Sequence, residues 1–142
     1  MFYGFIIEGI KSSDNNIGSS SDYNKTEVEL GEFSVLAGSF FYNWGCQIIN
    51  NNNGTVNISG FSEATNSFSL IQVTVYLQKW NGSAWVDIAN ASNSANNNYY
   101  ISIAKDVSIV RGYNYRVRAT HYISNSGTNE SKSSTSSYIT VN

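Results

Sequence analysis

Few residues of this 142-residue chain have the types and spacing needed for acid–base, nucleophilic or metal chemistry. The chain has a single His, His121, and a single Cys, Cys46, which excludes a two-histidine metal site, a thiolate metal site and an internal disulfide. No G-x-S-x-G, H-E-x-x-H, Walker or dinucleotide-binding glycine motif occurs. We therefore predict that the chain is not an enzyme and has no catalytic residue, no metal site and no cofactor.

His121 and Cys46 also have ordinary structural interpretations. His121 lies on the same face of its predicted strand as Tyr115, and we expect it to bond a neighbouring carbonyl at the strand end. A free Cys is most often a small buried hydrophobic residue. In an exported protein a single Cys can instead form a disulfide between chains, and the sequence leaves both alternatives open for Cys46.

The charge of the chain argues against two classes of partner. Ten acidic and eight basic residues give a net charge of −2, and only 13% of the residues are charged. We therefore expect no nucleic-acid partner, which requires a clustered basic surface, and no polybasic patch for an anionic membrane. Residues 1–10 are apolar, but Gly4 interrupts them and Glu8 ends the run. They predict neither a signal peptide nor a membrane-spanning segment.

Three aromatic residues could form an exposed platform that stacks on sugar rings: Tyr76, Trp80 and Trp85. Trp80 and Trp85 flank a predicted hairpin turn, and Tyr76 lies on the polar face of the preceding strand. The alternative is cross-strand aromatic pairing that stabilises the hairpin, which we favour.

The elements that would position these residues are β-strands. Residues 69–80 alternate, with an apolar face formed by Ile71, Val73, Val75 and Leu77. Asn81 and Gly82 tolerate positive φ and predict a hairpin turn, after which residues 85–88 return as a strand.

Further strands are predicted along the chain from residue 27, where helix-favouring residues are scarce. The predicted strands cover residues 28–36, 40–49, 56–58, 100–103 and 113–122, and a Ser-rich final strand follows the turn at residues 125–127 and ends with residues 138–141. A polar loop is expected over residues 90–98 and a turn over residues 125–127. About seven short strands with regular turns indicate an all-β antiparallel sandwich.

Residues 109–119 resemble the corner and sixth strand of a fibronectin type III domain, which has an immunoglobulin-like fold. The segment has an aliphatic residue (Ile109), Gly112 three positions later, Tyr115 three positions after that, and alternation ending in Ala119. The resemblance covers roughly residues 54–142 and implies a tyrosine corner, in which the Tyr115 hydroxyl bonds the backbone upstream and the ring packs inward. Arg111 stands where the family usually has a proline.

A second resemblance is to small secreted proteins of unknown function from spore-forming Gram-positive bacteria. It depends on Trp80-Asn81-Gly82, Trp85-Val86, residues 112–118, His121 and Glu130-Ser131. It implies an extracellular bacterial setting and no particular activity.

The N-terminal region predicts a separate arm. Residues 1–10 form a β-prone segment that is apolar on both faces, and residues 11–24 have the Ser, Asn and Gly content of a flexible linker. The sandwich domain is expected over residues 25–142. The arm residues that we expect at a subunit interface are Phe2, Phe5, Ile6, Ile7 and Ile10.

These features predict an extracellular or cell-surface structural subunit that assembles into a homopolymeric filament by donating its arm as a strand. The alternative is a monomeric carbohydrate-binding or adhesion module that uses Tyr76, Trp80 and Trp85 on surface glycans and folds its arm onto its own sandwich.

Overall fold

The computed structural model describes residues 39–142, which form six antiparallel β-strands and contain no helix. The strands are β1 (Phe41–Asn50), β2 (Thr55–Trp80), β3 (Trp85–Ser108), β4 (Tyr113–Asn125), β5 (Thr128–Thr135) and β6 (Ile139–Val141). The predicted arm with its interface residues, the linker, the weak strand at 28–36 and the start of the predicted domain lie outside the described residues.

The longest strand, β2, is the centre of the sheet. On one side it pairs with β3 along nearly its full length. On the other side its first part pairs with β1 and its second part with β4. The pairing of β2 with β3 shifts register between Glu63 and Phe68, where β2 passes from one neighbour to the other. β4 in turn pairs with β5 and β6, and the sheet curls into a half-barrel.

The prediction of a polar loop at residues 90–98 is wrong. These residues belong to β3, and all but Asn97 have a paired residue on β2, for example Tyr76 opposite Asn90 and Thr74 opposite Ser92. Their polar side chains face solvent, and the neighbouring strand β2 supplies the pairing that their own weak β-propensity does not predict. The prediction of about seven short strands is also wrong, since β2 and β3 have 26 and 24 residues.

The alternating pattern of residues 69–80 correctly predicts the core. Ile71, Val73, Val75 and Leu77 are all fully buried. Val117 and Ala119 of β4 and Ile58 of β2 pack with most of them in the main cluster. The two parts of β2 approach closely at Gly60, where a Cβ would lie 2.7 Å from the Val75 side chain. The core therefore fills the concave side of the curled sheet.

The predicted Asn81-Gly82 hairpin joins β2 to β3. The Asn81 amide donates to the Ala84 carbonyl at 3.0 Å, and Gly82 has a φ of +101°. The Asn81 side-chain oxygen accepts hydrogen bonds from the amides of Ser83 and Ala84. The Asn side chain thus satisfies the turn amides while Gly82 provides the left-handed backbone.

Tyr115 fixes the connection between β3 and β4. Its ring is buried, and its hydroxyl donates to the Val110 carbonyl at 2.7 Å and accepts from the Val110 amide at 3.1 Å. Gly112, with a φ of +95°, donates its amide to the Val141 carbonyl. The Tyr115 side chain therefore connects the turn between β3 and β4 to the core, and the Gly112 amide bonds the same turn to β6.

Replacing Tyr115 with Phe should lower the free energy of unfolding by about 1–3 kcal/mol, because the Val110 amide and carbonyl both lose a partner while the ring packing is kept. Chemical denaturation measures this change. The matched control is Tyr113→Phe, at an exposed ring, which should change stability by less than about 0.5 kcal/mol. Equal effects of the two substitutions would contradict the structural role of the Tyr115 hydroxyl.

Candidate functional site

His121 lies fully buried in the middle of β4, not at the strand end that the sequence suggested. Its two ring nitrogens lie 2.9 Å from the Ser62 hydroxyl and 2.8 Å from the Ser134 hydroxyl. Ser62 also donates to the Gln72 carbonyl. Burial lowers the pKa of His121 from 6.5 to about 3, and a hydrogen bond to the Phe61 backbone offsets only part of this. The imidazole is therefore neutral and its nitrogens are occupied by serine hydroxyls.

Cys46 is buried in the main core cluster. Its thiol donates weakly to the Val117 carbonyl at 3.6 Å. Burial raises the pKa of Cys46 to about 12, although a hydrogen bond from Ser134 acts in the opposite direction. The sulfur is thus a protonated thiol within the core, where it packs as a small hydrophobic residue.

Within residues 39–142, no group of three or more His, Cys, Asp and Glu side chains could hold a metal ion. The same part of the chain has no helix long and apolar enough to span a membrane.

The predicted aromatic residues Trp80 and Trp85 lie together on the outer face of the sheet. Their ring centroids are 5.4 Å apart, and the ring of Tyr138 lies 6.1 Å from that of Trp85. The Arg116 guanidinium lies over the Trp85 ring at 4.4 Å. Trp85 therefore contacts three side chains of its own chain.

Tyr76 is part of the same face and is covered in the same way. The Arg118 guanidinium lies over its ring at 3.8 Å and forms an ion pair with Asp87 at 2.8 Å. The hydrogen bond from Arg118 lowers the pKa of Asp87. Gln78 links the two arginines, since it donates to Asp87 and accepts from the Arg116 guanidinium. The rings and cations form one connected surface network.

This network favours cross-strand stabilisation over a sugar-stacking platform. A carbohydrate-binding aromatic residue presents a free ring face, whereas Trp85 and Tyr76 each have a guanidinium over one face. Cation–π contacts of this kind contribute roughly 0.5–1 kcal/mol at exposed sites.

Replacing Trp85 with Ala should lower the free energy of unfolding by about 1–3 kcal/mol, because the substitution removes contacts with Trp80, Tyr138 and Arg116. The fraction of folded protein retained on an insoluble glycan should stay close to that of the parent protein. The matched control is Tyr42→Ala, at an exposed ring of β1. A fully folded Trp85 variant that loses glycan retention would instead support the carbohydrate-binding alternative.

His121 should make stability depend on pH. Its pKa is about 3 in the folded protein and about 6.5 when unfolded, so protons bind the unfolded chain first as the pH falls. The free energy of unfolding should be nearly constant above about pH 7.5 and should fall as the pH drops through 6.5, with a slope that approaches about 1.4 kcal/mol per pH unit near pH 5.5. Urea denaturation between pH 5 and 7 measures this slope, and it avoids the range in which Asp87 and Asp106 titrate.

The control for this slope is His121→Gln, which keeps an amide able to bond Ser62 and Ser134 and removes the titrating group. The variant should have lower stability and almost no slope between pH 5 and 6.5. A slope that is unchanged in the variant would show that another group causes it.

The outer edge of β3 is the most extensive unpaired feature of the described residues. β3 pairs with β2 only, so its opposite edge has no neighbouring strand within residues 39–142, and two of its carbonyls, those of Ser102 and Asn90, accept hydrogen bonds from the side chains of Asn93 and Lys105. Val86, Ile88, Tyr99 and Tyr100 are exposed apolar or aromatic residues on β3. An unprotected edge of this length is a template for pairing with another chain.

The edge formed by β1 differs from that of β3. The inward side chains of β1, Trp44, Cys46 and Ile48, are at most 7% exposed. The approach to β1 is tied to β5 by Glu130, which accepts hydrogen bonds from the Phe40 amide and the Ser39 hydroxyl.

On β3, the inward residues remain only partly buried, among them Ile101, Ile103 and Val107. The core is therefore closed beside β1 and incompletely covered beside β3. An added strand would complete the burial at β3.

Sequence reasoning missed this edge because the Asn and Ser residues of 90–98 predicted a loop that would divide β3. One signal for the longer strand was present. Ala89, Ala91 and Ala95 recur at even spacing among polar residues, and all three pack partly buried against the core.

No protein-family model and no curated protein matches this chain.

Proposed function

We propose that this protein is a non-enzymatic extracellular structural subunit, which polymerises into a surface filament by donating residues 2–10 to a sheet edge of a neighbouring copy. The observation that carries the proposal is the edge of β3, which is 24 residues long and has no strand beside it within the described part of the chain. A donated strand supplies backbone hydrogen bonds along that edge.

The arm has the composition that such an edge requires. Its five large apolar side chains, Phe2, Phe5, Ile6, Ile7 and Ile10, would each contribute about 1.5–3 kcal/mol if fully buried. That sum is of the same order as the cost of ordering nine residues at about 1–2 kcal/mol each, and the backbone hydrogen bonds along the edge add to it. An extended nine-residue arm is about 30 Å long, and each half of the folded-over β3 is about 40 Å long, so either half is long enough to accept the arm.

The connection to the arm is long enough to reach another subunit. Residues 11–38 separate Ile10 from the first described residue, Ser39. The Ser, Asn and Gly-rich linker of residues 11–24 alone would have a root-mean-square reach of about 20 Å if flexible. Head-to-tail donation is a heterologous contact, which continues into a filament unless its geometry closes a ring.

We also propose a specific architecture for the folded domain. We assign the chain to an immunoglobulin-like sandwich of the fibronectin type III kind, in which β2 and β3 each contribute to both sheets. One sheet would contain β1 with the first part of β2 and the second part of β3. The other would contain the remaining parts of β2 and β3 with β4, β5 and β6. The Tyr115–Val110 hydrogen bond supports this assignment.

The second candidate function is a monomeric glycan-binding module. The observation that favours it is the clustering of Trp80, Trp85 and Tyr138 on one outer face. The arginines over Trp85 and Tyr76 weigh against it.

Removing residues 1–10 should convert the assembled protein into monomers, because the donated strand is lost while the described domain is kept. Replacing both Ile6 and Ile7 with Asp should have the same effect, since adjacent residues of a strand point to opposite faces, so each face of the docked arm has a charge and at least one of the two must be desolvated. Size-exclusion chromatography over a range of concentrations measures the change.

The matched control replaces Ser12 and Ser13 with Asp, which adds the same two charges next to the arm and should leave assembly intact. A full-length chain that is monomeric at all concentrations would overturn the proposal. An assembly that survives the deletion of residues 1–10 would overturn it as well.

A further inference from the structure

Lys105 places a positive charge within the inward-facing row of β3. It pairs directly with the fully buried Ile58, so the two side chains share the concave face of the sheet. The residues two positions away on either side, Ile103 and Val107, pack partly buried against the core. The Lys105 ammonium donates to the Asn90 carbonyl at 3.3 Å and thus reaches across to the first half of β3.

This charge has no acidic partner among the described residues. The ion pairs within residues 39–142 join Arg118 to Asp87 and Lys132 to Glu130. Asp106 follows Lys105 in sequence, but its carboxylate accepts hydrogen bonds from Asn51 and Asn57 and has its pKa lowered by them. The Lys105 side chain is exposed, and its hydrogen bond within residues 39–142 goes to the Asn90 carbonyl.

An inward-pointing charge on an edge strand normally prevents edge-to-edge pairing. A wholly apolar strand laid beside Lys105 would desolvate the ammonium without compensation. A strand that brings a carboxylate to the same position would form a charge pair. Lys105 would then select its partner strand instead of repelling every strand.

The N-terminal arm has this pattern. Glu8 is the one charged residue among residues 1–10. It falls in the even-numbered row of the arm, between Ile6 and Ile10, whereas the odd-numbered row has no charge. The even row of the arm and the inward row in the second half of β3, residues 101 to 107, are therefore both apolar with one charge, and the two charges have opposite sign.

We propose that the arm of a second copy docks beside the second half of β3, with Glu8 opposite Lys105. This inference rests on the strand-donation function proposed above and names its acceptor site. In either strand direction, the residues two before and two after Glu8 then lie beside the residues two before and two after Lys105. These residues are Ile6 and Ile10 on the arm, and Ile103 and Val107 on β3.

Charge reversal in the full-length chain tests the pairing. Glu8→Lys and Lys105→Glu should each raise the concentration required for assembly, measured by sedimentation of polymer, by about tenfold. The double variant restores an opposite pair and should return this concentration to within about threefold of the parent protein. Lys105→Gln should have an intermediate effect, because it removes the charge without adding repulsion.

The control is Arg111→Glu, which changes the net charge equally at an exposed position outside β3 and should leave assembly unchanged. The melting temperature of Lys105→Glu should match that of Arg111→Glu, which separates a docking defect from unfolding.

If deleting residues 1–10 abolishes assembly but Lys105→Glu assembles normally, this acceptor site is wrong and strand donation stands. If the deletion has no effect, strand donation itself is wrong. A double variant no better than its singles would exclude the Glu8–Lys105 pair.

Discussion

The architecture depends on the fact that a β-strand has two edges, and β2 uses both along most of its length. β3 occupies one edge, while β1 and β4 divide the other at the register shift between Glu63 and Phe68. The chain then continues on the β4 side, where β5 and β6 are added. Among the described residues nothing is added beyond β3, so the curled sheet keeps one long unpaired edge. The strand-donation proposal follows from this arrangement.

The same fold holds the two most reactive side chains in their uncharged forms. His121 is neutral between two serine hydroxyls, and Cys46 is a protonated thiol inside the core. The charged side chains of the outer face are paired with one another or lie over aromatic rings, as Arg118 does with Asp87 and Tyr76. Lys105 differs from them because its one protein contact is a backbone carbonyl on its own strand. The charge of Lys105 without an acidic partner and the incomplete burial of Ile103 and Val107 therefore both occur on β3, the strand with the unpaired edge.

The sequence predicts local elements well and their neighbours poorly. Alternation of Ile71, Val73 and Val75 identifies the buried face of β2, and Asn81-Gly82 identifies the hairpin, because both depend on residues adjacent in sequence. The strand character of residues 90–98 comes from pairing with β2, which no local propensity contains. The serine partners of His121 come from β2 and β5, so its hydrogen bonds also required the assembled sheet. The aromatic residues Trp80 and Trp85 were identified from the sequence, whereas the guanidiniums over the rings were not.

Hydrogen–deuterium exchange of β3 distinguishes an occupied edge from a free one, because a docked strand protects outward-facing amides that have no neighbouring strand in the isolated domain. The comparison is between the full-length assembled chain and the chain lacking residues 1–10, followed by mass spectrometry of peptides covering Tyr99–Ser108. We expect slower exchange in these peptides of the assembled chain and equal exchange in β4, whose neighbours are already present. Equal exchange of Tyr99–Ser108 in both proteins, with new protection at β1 or β5, would show that the arm does not dock on β3.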